Sequence, residues 1–193
     1  MHTTPTHLVA GTLTLRPWSP EDSAELARLY RDEALRRWTS EAVHDEAGAA
    51  RWVAAQRRSR EAGDRFAFAV EEASEGVPGE TRAPGAGARL VGNVVLKYAA
   101  RGSGSAEVGY WTAAHARGRG VAPRALGALA DWAFTAFAHE GLTRLELLHQ
   151  VDNTASCRVA EKAGFTPVGI LPAAPPAFPL EGHAHVRHAP PAA

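Results

Sequence analysis

The run Arg117-Gly118-Arg119-Gly120-Val121-Ala122 is the part of the chain whose residue types and spacing most directly imply chemistry. It lies between a strand pattern ending at Thr112 and an apolar helical pattern that begins near Val121. A glycine-rich strand-to-helix turn offers backbone N–H groups to an anion, and the helix N-terminus adds about half a positive charge. Gly118 and Gly120 permit positive φ and allow a phosphate to approach with no Cβ in its way. Pro123 suits the first helical turn, where its missing N–H has no partner to lose. Arg117 and Arg119 add cations expected to be mobile. The turn therefore reads as a pyrophosphate cradle. A P-loop would need Lys-Ser or Lys-Thr after the glycines, and a dinucleotide fingerprint would need a third glycine; neither is present.

Two other groups of reactive side chains carry less. His183, His185 and His188 fall in one short segment, and alternate residues of a strand share a face, so His183 and His185 could chelate. No cysteine lies close by in sequence to complete a site, so the expectation is a polar edge strand and no metal. Cys157 is the sole cysteine, which excludes an internal disulfide, and it reads as a small buried residue rather than a nucleophile.

These residues need elements to hold them. Residues 1–10 lack periodicity and read as a flexible arm. Gly11 to Trp18 alternates as a half-buried strand, and Ser19-Pro20-Glu21-Asp22 starts a helix striped by Leu26, Leu29 and Tyr30. Arg36 to Val43 reads as an irregular connection, followed by a helix from about Asp45 to Arg60. Phe66 to Glu72 and Leu90 to Tyr98 read as strands around a Gly/Pro-rich loop, 73–88, and Ser105 to Thr112 as a third. Ala122, Leu126, Leu129, Ala130, Ala133 and Phe137 form the stripe of the clearest helix. Thr143 to Gln150 is a strand, Asp152 and Asn153 cap a short helix that ends at Gly164, and Phe165 to Leu171 and His183 to His188 are strands. The order predicts an α/β (α+β) layer fold: one mixed, mostly antiparallel central sheet flanked by helices, in a single domain over residues 11–189 with a short tail, 190–193.

Composition narrows the classes. The chain has 193 residues, 45% hydrophobic and 22% charged, with 21 basic and 21 acidic side chains. A zero formal balance argues against a nucleic-acid binder, which needs a basic surplus to neutralise phosphates. No apolar run is long enough for a membrane span and the N-terminus lacks a secretory pattern, so the expectation is a cytoplasmic protein with no membrane partner.

Glu107-Val-Gly-Tyr-Trp-Thr followed by Arg117-Gly-Arg-Gly-Val-Ala122 resembles the acetyl-CoA-binding core of the GNAT N-acetyltransferases. Asp152-Asn-Thr-Ala-Ser-Cys-Arg-Val-Ala-Glu-Lys-Ala-Gly-Phe165 is similar to that family's second block, and its Asn-x-x-Ser and Glu-Lys-x-Gly-Phe pattern to the bacterial RimJ/RimL-like branch. Leu13-Thr-Leu-Arg-Pro-Trp18 resembles that branch's first strand. The likeness spans about residues 11–171. It implies a GNAT-like fold and direct transfer of acetyl from acetyl-CoA, with no metal, to a primary amine. The first acceptor it suggests is a peptide or protein N-terminal α-amine; the alternatives are a small-molecule amine (an amino acid, a polyamine or an antibiotic) or a non-catalytic acyl-CoA-binding module. Monomer and homodimer both remain open.

By the same resemblance, residues 117–122, Val121 included, hold the pyrophosphate. Backbone N–H groups at a bulge near Tyr110, Trp111 and Thr112 polarise the thioester carbonyl, and the pantetheine arm pairs with that strand edge. Glu107 is the expected base. Many members place an acid tyrosine where this chain has Ala160, so Ser156 is expected to serve the leaving thiolate, and Asn153 to bind the CoA arm or a water. Trp38 and Glu41 are the candidates on the acceptor side, since an aromatic wall and a carboxylate suit an amine.

Overall fold

The structure is a computed structural model, and it describes residues 7–39, 43–73, 88–98, 102–176 and 178–191. Glu41 and most of the 73–88 loop lie outside the described residues. Eight strands form one sheet: β1 (Leu8–Ala10), β2 (Leu13–Pro17), β3 (Arg65–Ala73), β4 (Ala88–Lys97), β5 (Ser105–Thr112), β6 (Arg144–Gln150), β7 (Thr166–Leu171) and β8 (Gly182–His188). Their spatial order is β1-β2-β3-β4-β5-β6-β8-β7, antiparallel throughout except for the parallel pair β5–β6. The helices are α1 (Ser23–Leu29), α2 (Glu33–Trp38), α3 (Glu46–Ala62), α4 (Val121–Ala136) and α5 (Thr154–Lys162).

Both faces of the central strands are covered. β3 and β4 read as near-continuous apolar runs because each is buried on both sides. On one face, Leu126, Leu129, Ala130 and Ala133 of α4 and Ala160 of α5 pack on Leu15, Phe68, Leu96 and Leu145. On the other, Leu26 of α1 and Trp52 and Val53 of α3 pack with Trp18, Ala67, Val95 and Trp111. Trp18 Nε1 donates to Asn93 Oδ1 at 2.9 Å, so the one polar side chain inside β4 is satisfied.

Several sequence expectations are corrected. Residues 8–10 are not a loose arm: β1 pairs with β2 through Leu8–Leu15, Val9–Thr14 and Ala10–Leu13. Part of the connection expected at 36–43 is helical, because Asp32 caps α2 by accepting from the Ala34 N–H. β8 is no edge strand. It lies between β6 and β7, and β7 forms the sheet edge, with Val168 and Ile170 exposed. Among the described residues no helix is long and apolar enough to cross a membrane.

Candidate active site

The parallel pairing of β5 with β6 runs only from Ser105–Arg144 to Val108–Leu147. Beyond it the strands part. β6 continues along β8 to Gln150, while Gly109 to Thr112 stay paired with β4 alone. The Ala113 N–H donates to Val91 O at 2.9 Å, so alternation along an antiparallel ladder turns the N–H groups of Tyr110 and Thr112 toward the vacated edge. β5 pairs with β4 without a register shift, so the bulge expected near Tyr110 to Thr112 is not there. The exposed donors come from the parting of two strands instead.

The glycine turn follows directly. After a 3-10 turn at Ala114–Ala116, Gly118 (φ +77) and Gly120 (φ +72) both take the left-handed conformation. A Cβ built on either glycine meets nothing within 4 Å, so the space in front of them is open. Gly120 is the N-cap of α4 and Val121 and Ala122 its first two residues, which aims the helix's free N–H groups into that space. Next to it, an open groove of about 840 Å3 runs past Arg119, Pro123 and Arg124 to Lys162.

The arginines of the turn are both ion-paired. Arg117 Nη2 is ion-paired with Asp32 Oδ2, and Arg119 Nη2 with Glu72 Oε2 at 2.6 Å. Glu72 also faces Arg124 at 3.7 Å. Each cation is held by a carboxylate from a distant part of the chain, and Arg117 holds the Asp32 carboxyl below its usual range.

Across the gap, α5 begins with Asn153, whose Oδ1 accepts from the Ser156 N–H at 3.3 Å. That oxygen is engaged in capping. Ser156 is buried and faces inward, as the shared face of Val159, Ala160 and Ala163 predicts. Its Oγ lies 2.8 Å from Tyr110 Oη. The sequence gives Tyr110 a backbone role with its side chain packing the sheet, and no local pattern points to this contact between residues 46 positions apart. Burial raises the Tyr110 phenol above its ordinary pKa, a shift that the Ser156 hydrogen bond opposes and that keeps the hydroxyl protonated.

Glu107 faces the opposite side of the sheet from Tyr110, since odd and even residues of β5 alternate. Lys97 Nζ engages Glu107 Oε1 at 2.5 Å. Glu146 stands beside Glu107 in the parallel register and is paired with Arg144 at 2.9 Å. Glu107 is 39% exposed, so its carboxylate is accessible from solvent. Trp111 is buried on the same face against Trp18 and Tyr30. Trp38 closes α2 at the surface, under the Arg37 guanidinium at 4.7 Å, and Arg37 in turn binds Asp152 at 2.8 Å, which ties α2 to the start of α5.

Residues 12–166 match the family described as the acetyltransferase (GNAT) domain. The chain belongs to the GNAT acetyltransferases. No curated protein matches the chain. Among solved structures, this GNAT domain is similar to the microcin self-immunity acetyltransferase MccE in complex with acetyl-CoA and AMP, with a TM-score of 0.78 at 16% identity over 97% of this chain and 99% of that one. It is similar to Mycobacterium smegmatis RimJ in complex with CoA-disulfide, with a TM-score of 0.74 at 23% identity over 94% and 84%. It is also similar to the RimL ribosomal α-N-protein acetyltransferase in complex with coenzyme A, with a TM-score of 0.76 at 19% identity over 94% and 97%. At these identities the likeness establishes the GNAT fold.

Proposed function

We propose that this GNAT domain transfers acetyl from acetyl-CoA to a primary amine, with a peptide or protein N-terminal α-amine as the first candidate acceptor. The observation that carries the reading is the free edge of Gly109 to Thr112, lying between the glycine cradle and the Ser156–Tyr110 hydroxyl pair. The pyrophosphate sits on the N–H groups around Gly118, Gly120 and Ala122, and the pantetheine arm pairs with the free strand edge. Its thioester carbonyl then accepts hydrogen bonds from the Tyr110 and Thr112 amides. Such donors stabilise the negative charge that develops when the amine attacks.

The sheet separates the base from the hydroxyls that stabilise the thiolate. On the face bearing Glu107, the carboxylate accepts the ammonium proton, directly or through a water. On the α5 face, Tyr110 donates to Ser156 while Ser156 donates to the departing thiolate. The tyrosine absent at position 160 is thus compensated by a phenol from β5. An α-amine, with a pKa of about 7.7–8.0 against about 10.4 for lysine, is the easier amine for one carboxylate to deprotonate. The RimJ and RimL neighbours act in the same direction as this argument. The likeness to MccE supports a small-molecule amine as the second reading, whereas the buried hydroxyl pair argues against a silent binding module.

CoA-thiol release from acetyl-CoA against a panel of N-terminal peptides, free amino acids, polyamines and aminated antibiotics tests the reading. Turnover with peptides alone is the expected result. Turnover restricted to small amines moves the acceptor to the second reading. Acetyl-CoA binding with no turnover on any acceptor leaves only a binding module.

A further inference from the structure

A cluster that the acetyl-transfer site does not use lies where β6, β8 and α5 meet. His149 comes from the end of β6, His183 and His185 from β8, and Cys157 from the first turn of α5. One donor atom from each lies within 4.8 Å of all the others. The His149 and His185 Nε2 atoms are 3.2 Å apart, and Cys157 Sγ is 3.6 Å from His149 Nε2 and 3.3 Å from His183 Nδ1. The fold brings a thiol and a third imidazole to this pair of strand histidines, from positions 26 and 36 residues away. Cys157 is also only partly buried, not the enclosed small residue expected from its type.

We propose that His149, His183, His185 and Cys157 form a four-ligand site for zinc. A tetrahedral zinc with Zn–N of about 2.05 Å and Zn–S of about 2.3 Å has donor–donor edges of about 3.3 Å between nitrogens and about 3.6 Å between sulfur and nitrogen. The three separations above fall near those edges already. The His149 Nδ1 lies 2.9 Å from Gln150 O, and donating there leaves the Nε2 lone pair directed at the cluster. His185 is 2% exposed and its Nδ1 has no partner, so the polar contacts of that buried ring run through Nε2. Three imidazoles and one thiolate suit a borderline ion such as zinc and disfavour calcium or magnesium, which require oxygen.

With every position filled by protein, the site is structural and not catalytic. Binding forms one Zn–S and three Zn–N bonds and releases the Cys157 thiol proton to solvent. The ion would cross-link α5 to the two strands beneath it.

Untagged full-length protein, stripped with chelator under reducing conditions and then titrated with zinc, tests this. One zinc per chain is expected, with Tm rising by about 5–10 °C when the free ion is about 100 times its Kd. Cobalt loading of the unmutated chain should give the intense visible absorption of tetrahedral Co2+ together with a thiolate charge-transfer band. Cys157→Ser should abolish that band and weaken zinc binding at least tenfold, and His183→Ala should weaken it similarly. His188→Ala, on the same strand but outside the cluster, should change neither. Sub-stoichiometric uptake, an octahedral cobalt spectrum, or uptake indifferent to Cys157→Ser would each overturn the site, and the first two need no variant to fold.

Discussion

The Ser156–Tyr110 contact makes a prediction that neither residue makes alone. If Tyr110 polarises Ser156 toward the thiolate, Ser156→Ala should lower kcat by about tenfold to a thousandfold, as removal of one charge-stabilising donor does, with acetyl-CoA affinity little changed. Tyr110→Phe should lower kcat less, and the double variant should resemble Ser156→Ala, because the phenol acts through the serine. Losses that simply multiply would show that the two hydroxyls act separately. Glu107 is tested by pH. Glu107→Gln should lower turnover most at low pH and recover as pH rises and the free amine becomes abundant. A pH–rate profile identical to the parent's would assign the proton to another acceptor. Single residues were legible in the sequence where one local pattern placed them: Ser156 from a helical face, Asn153 from a cap. The phenol was not, because nothing in the sequence near Tyr110 points to α5.

Elements show the same division. α4 and β5 were readable because their apolar residues repeat at 3.6 or 2 over many positions. α2 was not: six residues make less than two turns, and what starts it is a single cap at Asp32. That carboxylate also holds Arg117, so one side chain couples α2 to the glycine turn. Asp32→Asn keeps a good cap but removes the charge. Freed from its carboxylate, Arg117 should bind the pyrophosphate better, tightening acetyl-CoA binding severalfold at low salt and hardly at all at high salt, as calorimetry can measure. The stability effect has a definite sign. The Asp32 carboxyl is held below its unfolded pKa, so its contribution is present above that value and is lost as pH falls through the folded one. Thermal melts of the parent and Asp32→Asn should differ at pH 7, by no more than about 1 kcal/mol for so exposed a pair, and converge under strong acid. Gly120→Val tests the turn itself. A branched side chain at φ +72 is strained and fills the open space, so acetyl-CoA binding should be lost far more completely than in Arg119→Ala. Equal binding by Gly120→Val and the parent would remove the cradle.

For the whole molecule, the layer order was legible and the strand order was not. Alternation reports which residues are half-buried, but it is silent on which strand lies beside which. The backbone ladder accepts any side chain, so a histidine-bearing β8 is as good a neighbour for β6 as an apolar one. The three carboxylate–arginine pairs around the turn and the cluster at β6, β8 and α5 depend on that order and were hidden with it. The strand order also has a mechanical consequence. β1 to β5 and β6 to β8 are two half-sheets sewn together by a seam of four residue pairs, from Ser105–Arg144 to Val108–Leu147. Past the last stitch no backbone pairing between described strands joins the halves. A pantetheine chain lying along β5 would act as a splint, turning loose backbone into laddered backbone. Amide hydrogen exchange should therefore be fast at Tyr110 and Thr112 in the free protein and slow once acetyl-CoA is added, with the slowing spreading into Leu148 and His149 on the far side of the seam. Slowing confined to the glycine turn would mean the cofactor is gripped by its phosphates alone, and the seam carries no load.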